Sequence, residues 1–368
     1  MNETELLALG GQLTAYFTAQ AELNRSKKIE EIHRSVLHHD RLLKQFHQNH
    51  QHCDSFQALA RNYWNGLTPQ LDVCSGVCSY SQVSGDFSEK YIHDGIFYTL
   101  CDSVLNNNAF AMQFDNKAYY PLLFHDVRQP GVLAMRINNN WVDGDYRVLS
   151  FDTVIQRCVE KSKFIIKYAK GTCGGIGVKF LESVTAETLR NTFTGSKLDL
   201  VIQEIQTQHE ALNYIHPSSL NTIRIMTLLW NNDAVALSSV LRMGINGAKV
   251  DNASAGGIVC GIMDDGRLKN VAYDKYGKRY STHPSGIEFS NVVIPNFELC
   301  VQTAKALQER FPYCRMISWD IALSENSEPI LIEANFSNGE LEFHQFCNGP
   351  IFGELTDHIV SELWNNYL

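Results

Sequence analysis

The hydrophobic positions in the first 66 residues recur every three or four residues, as they do along one side of an α-helix. The residues with this spacing are Leu6, Leu7, Leu9, Leu13, Phe17, Leu23, Ile29, Ile32, Val36 and Leu43. Gly66 and Pro69 then interrupt the pattern. The sequence therefore predicts a helical N-terminal region over residues 1–68.

The pattern changes between residues 69 and 150, where short apolar runs alternate with glycine, serine, aspartate and asparagine. The runs at residues 110–114, 119–124 and 132–137 predict short strands. Together with the polar residues between them, they predict a small α/β unit over residues 69–150.

Longer apolar runs begin near residue 151 and continue to the end of the sequence. The predicted helices span residues 153–160, 296–310 and 353–368. The predicted strands span residues 163–168, 178–180, 200–205, 222–230, 234–243, 257–262, 316–323 and 329–334. A glycine-rich loop joins the first two strands, so these strands are expected to form a hairpin.

The composition excludes two broad classes. The chain is 44% hydrophobic and 19% charged, which is typical of a globular protein and excludes a mainly disordered one. The net charge is −9, and a non-specific nucleic-acid binder is excluded because phosphate binding needs a basic face. No apolar stretch approaches the ~20 residues of a membrane span, and the acidic N-terminus differs from a signal peptide. Ten scattered cysteines predict reduced thiols and a cytoplasmic protein.

The segment after residue 163 combines a lysine with closely spaced glycines. Lys167 lies near the end of a predicted strand, and the glycines that follow are Gly171, Gly174, Gly175 and Gly177. Such a loop lets backbone N–H groups approach phosphate oxygens, and the lysine adds positive charge. The segment matches neither a P-loop nor a dinucleotide-binding fingerprint. The alternative is the tip of an ordinary β-hairpin.

Two strands near the C-terminus carry acidic residues within apolar runs. Asp320 lies in the strand at 316–323, and Glu333 and Asn335 lie two residues apart on the next strand. Residues two apart share a face of a strand, and a hairpin brings Asp320 beside them. Mg²⁺ prefers such oxygen ligands. The sequence therefore predicts a magnesium site, and the alternative is a structural salt bridge.

Arg224 is the one charged residue of the apolar strand at 222–230 and needs an anionic partner. A structural pair with a core carboxylate and a contact with a transferred phosphoryl group are both open. The polar, glycine-bearing segment at 250–257 has two alternatives as well: it positions a substrate, or it is a turn.

Two further clusters have weaker signals. The histidines of the N-terminal region are His33, His38, His39, His47, His50 and His52. Their spacing permits a metal site, but a polar helix face is the favoured interpretation. Cys74 and Cys78 are four apart, which is not the spacing of a zinc knuckle or a redox motif.

The order of these features resembles that of the ATP-grasp enzymes. A lysine-bearing strand precedes a glycine-rich hairpin, a strand ending in Gln-Glu, and two closing strands with Asp and Glu-x-Asn. The chain resembles most closely the sugar-transfer-associated group. The sequences that carry this resemblance are Leu-Asn-Thr-Ile-Arg-Ile at 220–225, Val-Asp-Asn-Ala-Ser-Ala-Gly-Gly-Ile at 250–258, His-Pro-Ser-Gly at 283–286 and Ile-Glu-Ala-Asn at 332–335.

The resemblance covers about residues 85–365 and implies an α+β fold of ATP-grasp type, in which two lobes hold a nucleotide between them. Residues 151–205 are then the small lobe with the glycine-rich loop, and residues 206–368 are the large lobe with the metal site. The small α/β unit and the helical region precede these lobes.

The resemblance also implies roles for individual residues. ATP and Mg²⁺ are the expected cofactors. The residues expected at the adenine and ribose are Gln203, Glu204 and Ile205. Those expected at the phosphates are Lys167, the four loop glycines, and either Lys117 or Arg136. Those expected to hold Mg²⁺ are Asp320, Glu333 and Asn335. Arg224 is expected at the transferred phosphoryl group, with Asn221 and Asn252 nearby.

The activity implied is an ATP-dependent carboxylate–amine ligase that forms an acylphosphate from small-molecule substrates. A sugar acid or an amino acid from surface-polysaccharide biosynthesis is the candidate carboxylate. The alternatives are a kinase that phosphorylates a hydroxyl, a non-catalytic nucleotide-binding protein, and a purely structural α/β protein. The sequence leaves the oligomeric state open.

Overall fold

The structure is a computed structural model that describes residues 3–46, 54–170, 177–195 and 197–367. The chain forms two compact units, one of Met1–Val104 with Gly349–Leu368 and one of Leu105–Asn348. The α-helices are α1 (Glu3–Phe46), α2 (Asp54–Leu67), α3 (Cys74–Ser84), α4 (Asp94–Ile96), α5 (Ser103–Leu105), α6 (Asn108–Phe114), α7 (Tyr120–Leu123), α8 (Phe151–Lys161), α9 (Ala186–Thr194), α10 (Glu210–Ile215), α11 (Phe297–Gln308), α12 (Leu341–Asn348) and α13 (Thr356–Tyr367).

The strands lie in the second unit. They are β1 (Val132–Ile137), β2 (Asn140–Val142), β3 (Lys163–Tyr168), β4 (Lys179–Glu182), β5 (Leu200–Glu204), β6 (Thr222–Trp230), β7 (Asp233–Met243), β8 (Ile258–Ile262), β9 (Leu268–Tyr273), β10 (Arg279–Tyr280), β11 (Met316–Leu323) and β12 (Pro329–Asn335). A π-helix spans Phe97–Asp102, and 3-10 turns span Lys117–Tyr119, Ala253–Ala255, Phe289–Asn291 and Gly353–Leu355.

The first unit is helical, which confirms the prediction for the N-terminal region. Ile32 and Val36 of α1 are buried, and Trp64 of α2 donates a hydrogen bond to the Glu89 carbonyl at 2.8 Å. The C-terminal helix α13 packs against α2. The apolar spacing at Ile32 and Val36 therefore marks the side of α1 that this unit buries.

A five-stranded antiparallel sheet in the order β2-β1-β5-β3-β4 forms one part of the second unit. The helices α8 and α9 pack on it, with Ile155, Leu189 and Phe193 in the shared core. Ser150 begins α8 and Thr185 begins α9, because each side chain accepts a hydrogen bond from the first turn of its helix.

A seven-stranded antiparallel sheet in the order β10-β9-β8-β7-β6-β11-β12 forms the other part. On one face of this sheet Ile223, Leu241 and Trp319 lie in a core that also contains residues of α11. The helices and the two antiparallel sheets confirm the predicted α+β class.

The strand β12 forms one edge of the larger sheet, and other groups cover its outward backbone. The Tyr120 hydroxyl donates to the Ala334 carbonyl and accepts from the Ala334 amide, at 2.9 and 3.0 Å. The Leu331 amide donates to the Arg128 carbonyl, and the Phe336 amide, one residue past the strand, donates to Asp115.

Two of the predicted strands are wrong. Residues 110–114 lie in α6, because the Asn107 side chain accepts from the amides of Ala109 and Phe110 and begins a helix there. Residues 119–124 contain a 3-10 turn and α7, which the Asn116 side chain and Pro121 begin. The strand predicted at residues 132–137 is confirmed as β1.

The division of the chain into four domains, at residues 68, 150 and 205, stays a prediction. The boundaries of the compact units fall near residues 104 and 348 rather than at residues 68, 150 and 205. The strand β1 pairs with β5, so the sheet of the expected small lobe includes a strand from the segment 69–150.

Eight of the ten cysteines lie among the described residues, and all eight are free thiols. Cys74 and Cys78 face each other across one turn of α3 with their sulfurs 3.6 Å apart. Of the clustered histidines, His33, His38 and His39 are described, and the other three lie outside the described residues. No helix in the described part of the chain combines the length and apolar character needed to cross a bilayer.

Candidate functional site

Three strands of the larger sheet bring the predicted polar residues together. Asp320 of β11 lies opposite Arg224 of β6 on one side and opposite Glu333 of β12 on the other. Directly opposite residues project from the same face, and Asn335 lies two residues beyond Glu333 on that face. We call this surface the polar face; the opposite face of the sheet carries the core.

Asp320 is the centre of a buried ion cluster on the polar face. Arg224 donates to it twice, from Nε to Oδ1 at 2.7 Å and from Nη2 to Oδ2 at 2.8 Å. Arg242 of β7 donates from Nη1 to Oδ2 at 2.8 Å. Arg224 also pairs with Glu340. Arg242 is absent from the sequence prediction, although it is the one charged residue of the predicted strand 234–243, the same signal that marked Arg224.

These contacts set the charge of the cluster. Burial opposes the ionisation of Asp320, but Arg224 and Arg242 outweigh it and lower its pKa to about 2. Burial likewise opposes the charge of Arg224, and the carboxylates of Asp320 and Glu340 outweigh it and raise its pKa. Asp320 is therefore a carboxylate at neutral pH, held by two arginines.

Asp251 extends the cluster. Its Oδ1 lies 3.7 Å from Arg242 Nη2, and its Oδ2 accepts from the amide of Thr222 at 3.0 Å. Burial raises the pKa of Asp251, against the opposite effects of Arg242 and Thr222. The predicted segment 250–257 thus contributes a carboxylate to the face that carries Arg224.

Two lysines lie near the same face, Lys117 in the 3-10 turn before α7 and Lys167 on β3 of the smaller sheet. Lys117 Nζ lies 2.7 Å from Glu333 Oε1, and the Lys117 amide donates to the Ala169 carbonyl just beyond β3. Lys167 is half-buried, and among the described residues no acceptor lies within hydrogen-bond distance of its Nζ. The pKa of Lys167 lies below its usual value, chiefly because the side chain is removed from water. The positive charge of Lys117 also lowers this pKa, and the negative charge of Glu333 opposes the decrease without cancelling it.

Arg136, the alternative to Lys117, lies elsewhere. Its guanidinium donates to the carbonyls of Leu198 and Phe193 and lies 5.4 Å from the Trp141 ring centroid. These contacts tie β1 to the end of α9. Lys117 is therefore the cation that the fold brings to Glu333.

Part of the glycine-rich loop lies outside the described residues, namely Gly171, Gly174 and Gly175. Gly177 is described and has a φ of +79°. A Cβ at this position would lie 2.2 Å from Cδ2 of Tyr168, so no larger residue fits. The hairpin between β3 and β4 confirms the predicted connection of these strands.

The residues expected at the adenine follow one another at the end of β5. Gln203 is buried between β1 and β3, and Ile205 is exposed. The Glu204 amide donates to the Gly131 carbonyl at 2.9 Å, and its carboxylate pairs with Lys161. The backbone at this point is the end of a central strand, with Gln203 and Glu204 on opposite faces.

Asn221 and Asn252, expected near the transferred phosphoryl group, form local hydrogen bonds. Asn221 is fully buried, and its amide is occupied by Gln208, by the carbonyls of Leu212 and His216, and by Ser219. These bonds hold the segment before β6, and the expected place of Asn221 near the transferred phosphoryl group stays a prediction. Asn252 is half-buried and precedes a 3-10 turn, and its carbonyl accepts from the amides of Ala255 and Gly257 at 3.0 Å.

His344 of α12 is a buried residue that the sequence pattern does not reveal. Its Nδ1 lies 2.8 Å from Ser238 Oγ, which also accepts from Asn348 Nδ2, and its Nε2 has no partner among the described residues. Burial and the positive charges of Arg224 and Arg242 lower the pKa of His344 to about 3. The folded protein therefore holds this imidazole neutral.

This histidine predicts a loss of stability in acid. The unfolded chain binds its proton near pH 6.5. Above that pH, His344 does not change the free energy of unfolding through proton binding. Below it, the free energy of unfolding falls by up to about 1.4 kcal/mol per pH unit, until the pH reaches the pKa of His344 in the folded protein. Urea unfolding between pH 7 and 4 should show a smaller pH slope for His344→Asn. The exposed His125→Asn is the control, and equal slopes for His344→Asn and wild type would contradict the assignment.

The polar face suits Mg²⁺ by the chemistry of its donors. Asp320 and Glu333 supply carboxylates, and Asn335 supplies an amide whose Nδ2 donates to the Ser318 carbonyl at 3.2 Å. That bond leaves the Asn335 oxygen as the available ligand. Within the described ranges, no three His, Cys, Asp or Glu side chains gather as a metal cage.

Comparison with known proteins assigns the family. Residues 102–360 match the sequence profile described as sugar-transfer associated ATP-grasp, which is more than half of the chain. The chain belongs to this family. The match includes both sheets and the whole polar face, so the ATP-grasp fold implied by the sequence is confirmed. No curated protein sequence matches the chain.

Solved structures resemble this ATP-grasp chain only distantly. A crystal structure of the D-cycloserine synthetase DcsG is 10% identical, covers 69% of this chain and 73% of its own, and has a TM-score of 0.41. The D-alanyl-alanine synthetase A of Vibrio cholerae is 12% identical, with coverages of 69% and 65% and a TM-score of 0.41. The ATP-grasp ligase PsnB is 14% identical, with coverages of 70% and 63% and a TM-score of 0.39.

Proposed function

We propose that this protein is an ATP- and Mg²⁺-dependent carboxylate–amine ligase that works through an acylphosphate. The observation that supports this most is the convergence of Lys117, Lys167 and Arg224 on the face that carries Asp320 and Glu333. Phosphoryl transfer needs cations for the phosphate oxygens and oxygen ligands for a divalent metal. The polar face offers both kinds of group.

In this proposal the nucleotide lies between the two sheets. The backbone of residues 203–205 binds the adenine, and Glu204 exchanges Lys161 for the ribose hydroxyls. Lys167 and Lys117 bind the α- and β-phosphates, and the glycine-rich loop covers them. Lys167 is suited to this role because it is desolvated and has no carboxylate at hydrogen-bond distance among the described residues.

Asp320, Glu333 and Asn335 would hold Mg²⁺, which neutralises charge on the phosphates. The ion pairs on these carboxylates rearrange at the same time. Lys117 leaves Glu333 for a phosphate, and Arg224 turns from Asp320 towards the transferred phosphoryl group. Each cation thus keeps an anionic partner throughout, because phosphate oxygens take the place of carboxylate oxygens.

The reaction has two steps. A carboxylate oxygen of the substrate attacks the γ-phosphorus of ATP, and the bond from this phosphorus to the bridging β-phosphate oxygen breaks. ADP departs, and the substrate becomes an acylphosphate. The amine of the second substrate then attacks the acyl carbon, and phosphate leaves with the amine proton. Arg224 stabilises the equatorial oxygens of the transferred group, and the protein forms no covalent bond.

The family description favours a substrate connected with sugar transfer, so a sugar acid or an amino acid is the proposed carboxylate. Hydroxylamine distinguishes the ligase from a kinase of the same fold. It captures an acylphosphate as a hydroxamate, whereas a phosphorylated alcohol gives none. ADP release that needs a carboxylate and yields hydroxamate supports the ligase, and release with alcohols alone supports the kinase.

The first test is thermal unfolding with a non-hydrolysable ATP analogue, with and without Mg²⁺. A site filled at 100 times its dissociation constant adds about 2.7 kcal/mol to the stability of the folded state. We expect a clear rise in the melting temperature that depends on Mg²⁺. Equal melting temperatures under all conditions would contradict nucleotide binding.

The variant Lys167→Ala is expected to weaken ATP binding by about 10- to 100-fold, because one charge-assisted hydrogen bond contributes roughly 1.5–3 kcal/mol. Lys163→Ala is the matched control. Lys163 lies on the same strand but pairs with exposed Glu182. Calorimetry should separate the two variants, and an unchanged affinity in Lys167→Ala would move the phosphate site elsewhere.

A further inference from the structure

Cys74 and Cys78 form a pair of thiols that the proposed activity does not use. They lie four residues apart on α3, and their sulfurs are 3.6 Å apart. The Cys74 thiol donates to the Gln57 carbonyl of α2 at 3.4 Å, so the hydrogen between the two sulfurs comes from Cys78. Cys74 is buried and Cys78 is half-buried. The two sulfurs are therefore in direct contact, and the pair borders solvent at Cys78.

The surroundings of the pair favour negative charge on sulfur. Cys74 is the first residue of α3, where the helix dipole stabilises an anion. The hydrogen bond with Cys78 and the positive charge of Arg61 lower the pKa of Cys74, and they outweigh the opposite effect of burial. The thiolate, which is the form of cysteine that binds metal ions, therefore forms more readily at Cys74 than at an ordinary cysteine.

A disulfide between the two cysteines does not fit the helix. Side chains four apart on a helix have Cβ atoms about 5–6 Å apart, whereas a disulfide needs a separation of about 3.5–4.5 Å. Oxidation to a disulfide would therefore distort the first turn of α3. The Asp72 side chain helps to hold this turn, because it accepts from the Cys74 amide at 3.2 Å. An ion bound between the sulfurs requires no such movement of the backbone.

The separation of the sulfurs matches a shared metal ion. With metal–sulfur bonds of about 2.3 Å, two sulfurs on one ion lie about 3.8 Å apart at a tetrahedral angle and about 4.6 Å apart in line. From 3.6 Å, small rotations of the two side chains reach this range. A structural Zn²⁺ site needs four ligands, and within the part of the chain that the structure describes no third His, Cys, Asp or Glu completes a group. Cu(I) is a soft ion that two thiolates satisfy.

We propose that Cys74 and Cys78 bind one Cu(I) ion between their sulfurs. Two S–H bonds break, two Cu–S bonds form, both protons pass to the solvent, and the copper keeps its oxidation state. The complex carries one negative charge, which Arg61 and the N-terminus of α3 partly offset. The site lies in the helical unit and is independent of the proposed activity.

Anaerobic titration of the full-length protein with the coloured bicinchoninate complex of Cu(I) tests the proposal. The protein should remove copper from the complex, and the double variant Cys74→Ser with Cys78→Ser should bind one ion fewer per chain than wild type. Cys53→Ser with Cys173→Ser is the matched control, because these two cysteines lie outside the described residues. This control should bind as much copper as wild type. Equal copper contents in wild type and the Cys74, Cys78 variant would overturn the proposal.

Alkylation of the wild-type protein locates the ion without a variant. Trypsin cleaves after Arg61 and Lys90, so one peptide, residues 62–90, contains Cys74 and Cys78 and no other cysteine. Cu(I) should protect this peptide from iodoacetamide, whereas the same concentration of Zn²⁺ should not. Equal modification with and without Cu(I), or equal protection by Zn²⁺, would reject the copper site. A peptide lighter by two hydrogens would indicate a disulfide and would also reject it.

Discussion

Asp320→Asn is expected to lower the free energy of unfolding by about 3 kcal/mol, because it removes the centre of the buried ion cluster. The carboxylate accepts three hydrogen bonds from the two arginines, and both guanidinium groups are buried. Removing one partner of a buried ion pair leaves the other charge without compensation, and this costs about 3–5 kcal/mol. Glu340 and Asp251 remain beside Arg224 and Arg242, so the lower end of that range applies.

Urea unfolding at pH 7 measures this loss. Asp265→Asn is the matched control, because Asp265 forms an exposed pair with Arg267 that should contribute less than about 1 kcal/mol. The difference in the free energy of unfolding between wild type and Asp320→Asn should also decrease in acid. The contribution of a carboxylate with a folded pKa of about 2 is complete above about pH 3.9 and is lost as the pH falls towards 2. An equal loss of unfolding free energy in Asp320→Asn and Asp265→Asn would contradict the stabilising role of the ion cluster.

Glu333→Gln is expected to leave folding nearly unchanged and to lower Mg²⁺-dependent ADP formation by about 100-fold or more. Glu333 is partly exposed and pairs with a single lysine, so its loss should change the free energy of unfolding by less than about 1 kcal/mol. A proposed metal ligand contributes several kcal/mol to the stabilised transition state. The two effects therefore separate activity from stability.

Glu328→Gln is the control for this experiment, since Glu328 belongs to the same β11–β12 hairpin but pairs with exposed Arg128. It should retain both turnover and stability. A collapse of thermal stability in Glu333→Gln together with retained turnover would overturn the metal role and make Glu333 a structural residue.

The sequence predicts five of the seven strands of the larger sheet, because the sequences of these five are mainly apolar runs, and it misses β9 and β10. The strands at 222–230 and 316–323 have the predicted ends, and their buried charges, Arg224 and Asp320, lie side by side. An isolated charge in an apolar run needs a partner of opposite sign. The partner of such a charge is far away in the sequence, and the two residues become neighbours only when their strands pair in the sheet.

The failures have local causes. The apolar run at residues 110–114 forms no strand, because the asparagine before it begins a helix instead. The helix α12 is absent from the sequence prediction because it is only eight residues long. It is held by packing on β7 and β8, and His344 and Asn348 both reach Ser238. Periodicity over eight residues carries too little information to reveal such a helix.

The hydroxyl of Tyr120 has a consequence beyond the site. An edge strand with free amides and carbonyls can pair with a strand of another molecule. Repeated pairing of this kind between molecules leads to aggregation. Tyr120 occupies both the amide and the carbonyl of Ala334, and Arg128 and Asp115 occupy the amides on either side. The same strand carries Glu333 and Asn335 on its polar face. The protein thereby keeps this edge closed to polymerisation while the side chains of the polar face stay open to small molecules.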